Sequence, residues 1–160
     1  MKAFVLKKYG HPLSAVDMPV PEPGPQEVLV RMVASGVNHA DERTRTGEFK
    51  AVFRLDLPKV MGGELSGEVV AVGSQVAGLA VGDQVYGYTG VVAMGTWAEF
   101  VVIDADALAP APRSISLAQA ASLPVVALPA WQSLVTIGRL QPGPTGLVHG
   151  RAGGVGAAVI

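Results

Sequence analysis

Gly146-Leu147-Val148-His149-Gly150-Arg151-Ala152-Gly153-Gly154-Val155-Gly156 places a short apolar run ahead of glycines at 150, 153 and 156. That spacing predicts a strand, a tight loop and then a helix. Glycines in such a loop let the backbone turn sharply and come close to a bound group, and the free N–H groups at a helix start suit a pyrophosphate. A dinucleotide-binding unit of this kind continues with a second parallel strand and a charged residue about 20 positions onward that reads the ribose. The sequence reaches Ile160 only a few residues into the expected helix. The reading is therefore the first strand and glycine loop of an incomplete α/β Rossmann domain, truncated within these 160 residues.

Working back from this loop, Gln141-Pro142-Gly143-Pro144 reads as a turn, and Val125 to Ile137 as a helical segment ending at Gly138, a common C-terminal stop. Pro129 falls inside that segment, where it removes an N–H and is expected to kink or restart the helix. Ser116-Leu117-Ala118-Gln119 has the spacing of a capping box and opens an earlier, Ala-rich helix. Upstream of about residue 112 the character changes to short strands: Lys2 to Leu6, Glu27 to Ala34, Glu64 to Val72, Gln84 to Tyr88 and Trp97 to Ile103. Gly62-Gly63, Gly73 and Gly82-Asp83 punctuate them as turns. Such strands at such intervals point to a small β-barrel. The expected organisation is a barrel over 1–115 and, over 116–160, connecting helices and the start of the cofactor-binding domain.

Composition narrows the class further. Hydrophobic residues make up 49% and charged residues 16% of the chain, which permits a sizeable core and excludes a disordered chain. A net charge of -1 gives no reason to expect nucleic acid or an anionic membrane as partner. With no cysteine, neither disulfides nor thiolate zinc sites can form. The apolar run Ala3 to Leu6 lies between Lys2 and Lys7 and is too short for a signal peptide. Leu123 to Leu134 is broken by Pro124, Pro129 and Gln132. The expected location is the cytoplasm.

Six motifs in order carry a family resemblance: Gly36-Val37-Asn38-His39-Ala40-Asp41, Gly62-Gly63-Glu64-Leu65-Ser66-Gly67-Glu68-Val69, Gly82-Asp83-Gln84-Val85-Tyr86-Gly87, Gly95-Thr96-Trp97-Ala98-Glu99-Phe100, Ala120-Ala121-Ser122-Leu123-Pro124 and the final glycine loop. Together they resemble the medium-chain dehydrogenase/reductase superfamily, in its zinc-independent, zeta-crystallin-like quinone oxidoreductase branch. The resemblance implies a GroES-like barrel followed by a Rossmann domain. Zinc-dependent relatives carry a cysteine at the position of Asn38 and a histidine before the glutamate at 64, where this chain has Gly63. His11, His39 and His149 match none of the family's ligand positions, so no metal is expected.

The resemblance also supplies site candidates. Asn38 is similar to the family's asparagine facing the nicotinamide and the substrate; its carboxamide both donates and accepts, and its bland alternative is a turn asparagine. Two roles are open to Asp41, a proton relay or a cap on the following helix, with the cap favoured. His39 is expected to face solvent. Phe49 stands where many relatives have tyrosine, which in the enoyl reductase branch resembles a proton source; the ring is kept and the donor is lost. Pro129 stands where the family commonly has a cofactor-facing threonine. Gly150, Gly153, Gly154, Val155 and Gly156 would meet the pyrophosphate. Arg151 replaces a small residue there, and clamping a phosphate and crowding it are equally open. Trp97 and Trp131 read as core or interface residues.

Three functional readings follow. The first is hydride transfer to a quinone or activated alkene, with NADPH as the implied cofactor and NADH left open. The second is an enone or enoyl-thioester reductase of the same superfamily, disfavoured by Phe49. The third is a non-catalytic barrel remnant. The partner is then a small-molecule quinone or enone, with a homodimer or a complementing second polypeptide also in view. The 160 residues alone are expected to be inactive, and their tail from Leu147 to Ile160 to be disordered, to pack across a dimer interface or to aggregate, since an uncovered strand edge invites pairing.

Overall fold

A computed structural model describes residues 1–141, 143 and 145–160; Pro142 and Pro144, half of the expected turn at 141–144, lie outside the described residues. Eight strands build two antiparallel sheets. β1 (Lys2–Leu6), β2 (Ser14–Asp17) and β4 (Lys59–Val60) form one, in the order β2-β1-β4. β3 (Glu27–Ala34), β5 (Glu64–Val72), β6 (Gln84–Tyr88), β7 (Phe100–Asp104) and β8 (Leu108–Pro110) form the other, in the order β7-β3-β5-β6-β8. The two are stitched together where Phe4 donates to the Trp97 carbonyl at 2.8 Å and Trp97 to the Met61 carbonyl at 2.8 Å. This is the barrel that the strand pattern predicts.

β3 and β5 are central and rich in β-branched residues, which fit a pleated, buried surface. Val28, Val30, Leu65, Val69, Val85, Val101 and Ile103 interlock as the main core. Burying each such side chain is worth roughly 1.5–3 kcal/mol. A second core joins Leu6, Leu55, Met61 and Met94, with Phe53 and Trp97 packed on it. Trp97 is thereby half-buried against the core, while Trp131 is 63% exposed.

The last long strand begins at Phe100 instead of Trp97, because Ala98 makes only an isolated bridge, to Ala3. β2, β4 and β8 carry no strand signal of their own and exist through pairing with β1 and β6.

Four helices complete the described chain. α1 (His39–Thr46) follows β3, and a 3-10 turn (Glu48–Ala51) carries Phe49. α2 (Leu117–Ala120) opens on the expected capping box: Gln119 N donates to Ser116 Oγ at 3.2 Å, and Ser116 N to Gln119 Oε1 at 2.9 Å. Ser66 Oγ donates to the Leu117 carbonyl at 2.6 Å, which ties α2 to β5. α3 (Pro124–Trp131) has proline at its first position, where the missing N–H is not needed.

Pro129 neither ends nor restarts α3. The helix runs on to Trp131 and then widens into a π-helical segment, Gln132–Ile137, closed by a Gly138 N–H to Ser133 carbonyl bond of 2.9 Å. One N–H missing from the ladder lets the turn relax without breaking.

The strand expected at Gly146 to Val148 is not formed: residues 145–148 are irregular and Leu147 is 84% exposed. An apolar run becomes a strand only when another strand pairs with it, and none among the described residues does. The glycine loop does lead into a helix, α4 (Gly154–Val159). α4 packs on α3, with Gly154 so close that an added Cβ would lie 2.6 Å from Val126 Cγ1. The end of the tail therefore has a partner within the chain. No helix among the described residues is long and apolar enough to cross a membrane.

Candidate active site

The site grows from the end of β3. After Ala34 the chain is held by Ser35, whose Oγ donates to the Glu64 carbonyl at 2.7 Å, and by Trp97, whose Nε1 donates to the Gly36 carbonyl at 3.0 Å. Gly36 must be glycine: a Cβ there would lie 1.8 Å from Glu64 Oε1. The next turn delivers Asn38 as the N-cap of α1, in extended backbone conformation.

Asn38 N donates to Asp41 Oδ2 at 2.7 Å. Asp41 thus performs the capping role, three residues into the helix where an acid suits the first turn. His39 is exposed.

Asn38 Nδ2 donates to Glu64 Oε1 at 2.8 Å, and Glu64 Oε2 accepts from Val125 N at 3.0 Å. Glu64 is 3% exposed. Its carboxylate joins three parts of the molecule: the start of β5, the N-cap of α1 and the first turn of α3. With Nδ2 committed to Glu64, the Asn38 carboxamide has one defined orientation.

Asn38, Asp41, Thr44, Phe49, Phe53, Gly63, Tyr88, Met94 and Val125 surround a single cavity of about 40 Å³. The structure thus brings Asn38, Asp41 and Phe49 together although they come from α1 and the turn after it. Phe49 stacks on Phe53 with centroids 5.6 Å apart, and the Arg43 guanidinium lies 4.7 Å above its ring.

Burial holds the Asp41 carboxyl above its ordinary value; the Asn38 N–H opposes this and the Glu64 charge adds to it. The Tyr88 phenol is likewise raised, first by burial and then by the charges of Asp41 and Glu64. Beside this cavity, Tyr88, Pro124, Val125, Leu128, Pro129 and Gln132 line a cleft of about 270 Å³. Pro129 therefore sits one helix turn from Val125 on the wall of that cleft.

The glycine loop stands apart from this cluster. Gly150 takes φ +72°, Gly153 caps α4, and a Cβ on Gly156 would lie 2.3 Å from the Gly150 carbonyl oxygen. Arg151 is exposed and in no salt bridge among the described residues.

Two residues escaped the sequence reading. Glu64 lay inside a quoted motif, and its signal was an acid at the head of a strand. Tyr88 gave no signal, because only strand pairing carries it to the cavity.

Residues 24–113 match the alcohol dehydrogenase GroES-like domain family. A crystal structure of an alcohol dehydrogenase superfamily protein from Novosphingobium aromaticivorans superposes with a TM-score of 0.94 at 40% identity, over 99% of this chain and 48% of that one. The 2-methylene-furan-3-one reductase of Solanum lycopersicum is 38% identical over the whole chain and 43% of its own length. The quinone oxidoreductase of Mus musculus is 33% identical over 89% of this chain and 42% of its own. The chain spans less than half the length of these relatives.

Proposed function

The chain belongs to the alcohol dehydrogenase GroES-like family, and on that premise we propose that the full-length protein is a zinc-independent reductase moving a hydride from NADPH to a quinone or an activated alkene. Residues 1–115 serve as the barrel that shapes the acceptor site, and 116–160 begin the cofactor domain. Both a quinone oxidoreductase and a furanone reductase among the relatives support the acceptor class. The single observation that carries the reading is the Glu64 clamp, which holds the Asn38 carboxamide in one orientation beside an apolar cleft.

The donor set fits the cofactor at two places. First-turn N–H groups of a helix have no intrahelical acceptor, so those of α4, led in by Gly150 and Gly153, suit the pyrophosphate. The mostly apolar cleft between Tyr88 and Pro129 suits a flat ring, and Pro129 offers it no hydrogen bond. The nicotinamide supplies the hydride chemistry; this chain's residues hold ring and acceptor face to face and exclude water. Asn38, with Nδ2 committed to Glu64, offers its Oδ1 to the N–H of the nicotinamide carboxamide, and Asp41 keeps α1 and therefore Asn38 in place.

The test is oxidation of NADPH by the full-length protein with a quinone series and an enone series, followed by nicotinamide absorbance. Turnover with either series is expected, with no stoichiometric zinc by elemental analysis. An alcohol dehydrogenase activity dependent on added zinc would overturn the reading. The 160 residues expressed alone are expected to show no quinone-dependent oxidation of NADPH.

A further inference from the structure

Reduction of a quinone or an enone builds negative charge on a carbonyl oxygen, and the site must answer it with a donor. The rim's polar groups are mostly committed. Ser35 Oγ and Thr96 Oγ1 bond each other at 2.8 Å, Thr89 Oγ1 donates to the Gly63 carbonyl at 3.0 Å, and Trp97 Nε1 is held by Gly36. Asn38 Nδ2 faces Glu64, and Asp41 and Glu64 are acceptors when charged. Phe49 has no donor.

The cavity beside Asn38 holds about 40 Å³. Thr44 is 3% exposed on its wall, shielded from the open cleft. Tyr88 is different. It lines this cavity, the 270 Å³ cleft beside it and a third hollow of about 590 Å³ that ends at Trp131 and Leu134. Its place is set by strand pairing, since β6 puts Tyr88 directly opposite Glu64 of β5. Gly63 leaves room for the ring: a Cβ there would lie 2.9 Å from Tyr88 Cε2. The hydroxyl takes part in none of the rim's hydrogen bonds described above.

We propose that Tyr88 is a catalytic residue whose hydroxyl donates a hydrogen bond to the acceptor's carbonyl oxygen, filling the role for which Phe49 lacks the group. The inference rests on the reductase reading. The acceptor gains two electrons and one hydrogen as hydride, forming a new C–H or O–H bond while the nicotinamide is oxidised. The negative charge left on oxygen is held by the Tyr88 hydroxyl, and a proton from water completes the product. Burial and the neighbouring carboxylates keep the phenol protonated at neutral pH, so it stays a donor throughout.

Two measurements on the full-length protein decide the matter: kcat/KM for duroquinone, and duroquinone affinity from quenching of tryptophan fluorescence. Tyr88→Phe is expected to lower kcat/KM about tenfold or more and to weaken duroquinone binding several-fold. Phe49→Tyr added to Tyr88→Phe is expected to recover part of the loss. Tyr88→Phe within twofold of wild type in both measurements overturns the proposal and leaves the reductase reading standing. Wild-type protein that binds duroquinone but reduces neither quinones nor enones overturns the reductase reading, and the binding ratio then decides Tyr88. Wild-type protein that neither binds duroquinone nor reduces a quinone or an enone overturns both.

Discussion

Replacing Glu64 separates structural from chemical roles at the rim. Glu64→Ala removes two charge-assisted hydrogen bonds, to Asn38 Nδ2 at 2.8 Å and to Val125 N at 3.0 Å. Each is worth about 1.5–3 kcal/mol, and the donors left behind lose their partners. Against this, alanine also removes a buried carboxylate and its repulsion of Asp41, and water can reach part of the gap at half-buried Asn38 and Val125. The net destabilisation expected is about 2–4 kcal/mol, read as a fall in the Tm of the full-length protein.

Glu64→Gln behaves differently. The glutamine's Oε1 can still accept from Val125 N, while its Nε2 faces Asn38, whose carboxamide rotates to offer Oδ1. Both bonds survive, so stability should fall by about 1 kcal/mol or less. The rotation turns the donor end of Asn38 toward the cavity in place of the acceptor end, so kcat/KM should drop at least tenfold. Thermal unfolding and steady-state kinetics on the same two variants check both statements. A glutamine variant as unstable as the alanine one, or a stable one with wild-type kinetics, refutes the reasoning.

Asp41 offers a pH test. Its folded pKa lies above the unfolded value of 3.8, so the folded state holds the proton more tightly and ionisation works against folding. That penalty is complete at neutral pH and fades as pH falls through the folded pKa toward 3.8. Asp41→Asn keeps an acceptor for Asn38 N and should raise Tm at pH 7, with the gain shrinking on acidification; a gain that grows toward pH 4 contradicts the sign. Gly67→Ala puts a Cβ 2.3 Å from the Arg31 carbonyl oxygen across the β3–β5 pair, and denaturant unfolding should show a loss of about 3 kcal/mol or more. Gly146→Ala meets nothing within 4 Å and should stay within about 0.5 kcal/mol of wild type. Gly156→Ala, whose Cβ would lie 2.3 Å from the Gly150 carbonyl oxygen, should weaken NADPH binding by the full-length protein about tenfold by calorimetry.

What the sequence by itself determined is what short-range physics controls. β-branched and aromatic residues specify β3, β5 and β6, Ser116 and Gln119 cap α2 through bonds spanning three residues, and Asn38 with Asp41 opens α1 in the same way. Motif order carried the family. Tertiary structure decided the rest, because its causes lie far apart along the chain. β2, β4 and β8 exist only through pairing, and Gly146 to Val148 has strand-like residues but no strand beside it. Pro129 is carried through α3, and the turns after Trp131 widen instead. Above all, the site depends on Glu64 meeting Asn38 across 26 positions and Val125 across 61, and on sheet register setting Tyr88 opposite Glu64. A buried carboxylate selects its partners by desolvation and geometry, and neither is written in the residues next to it.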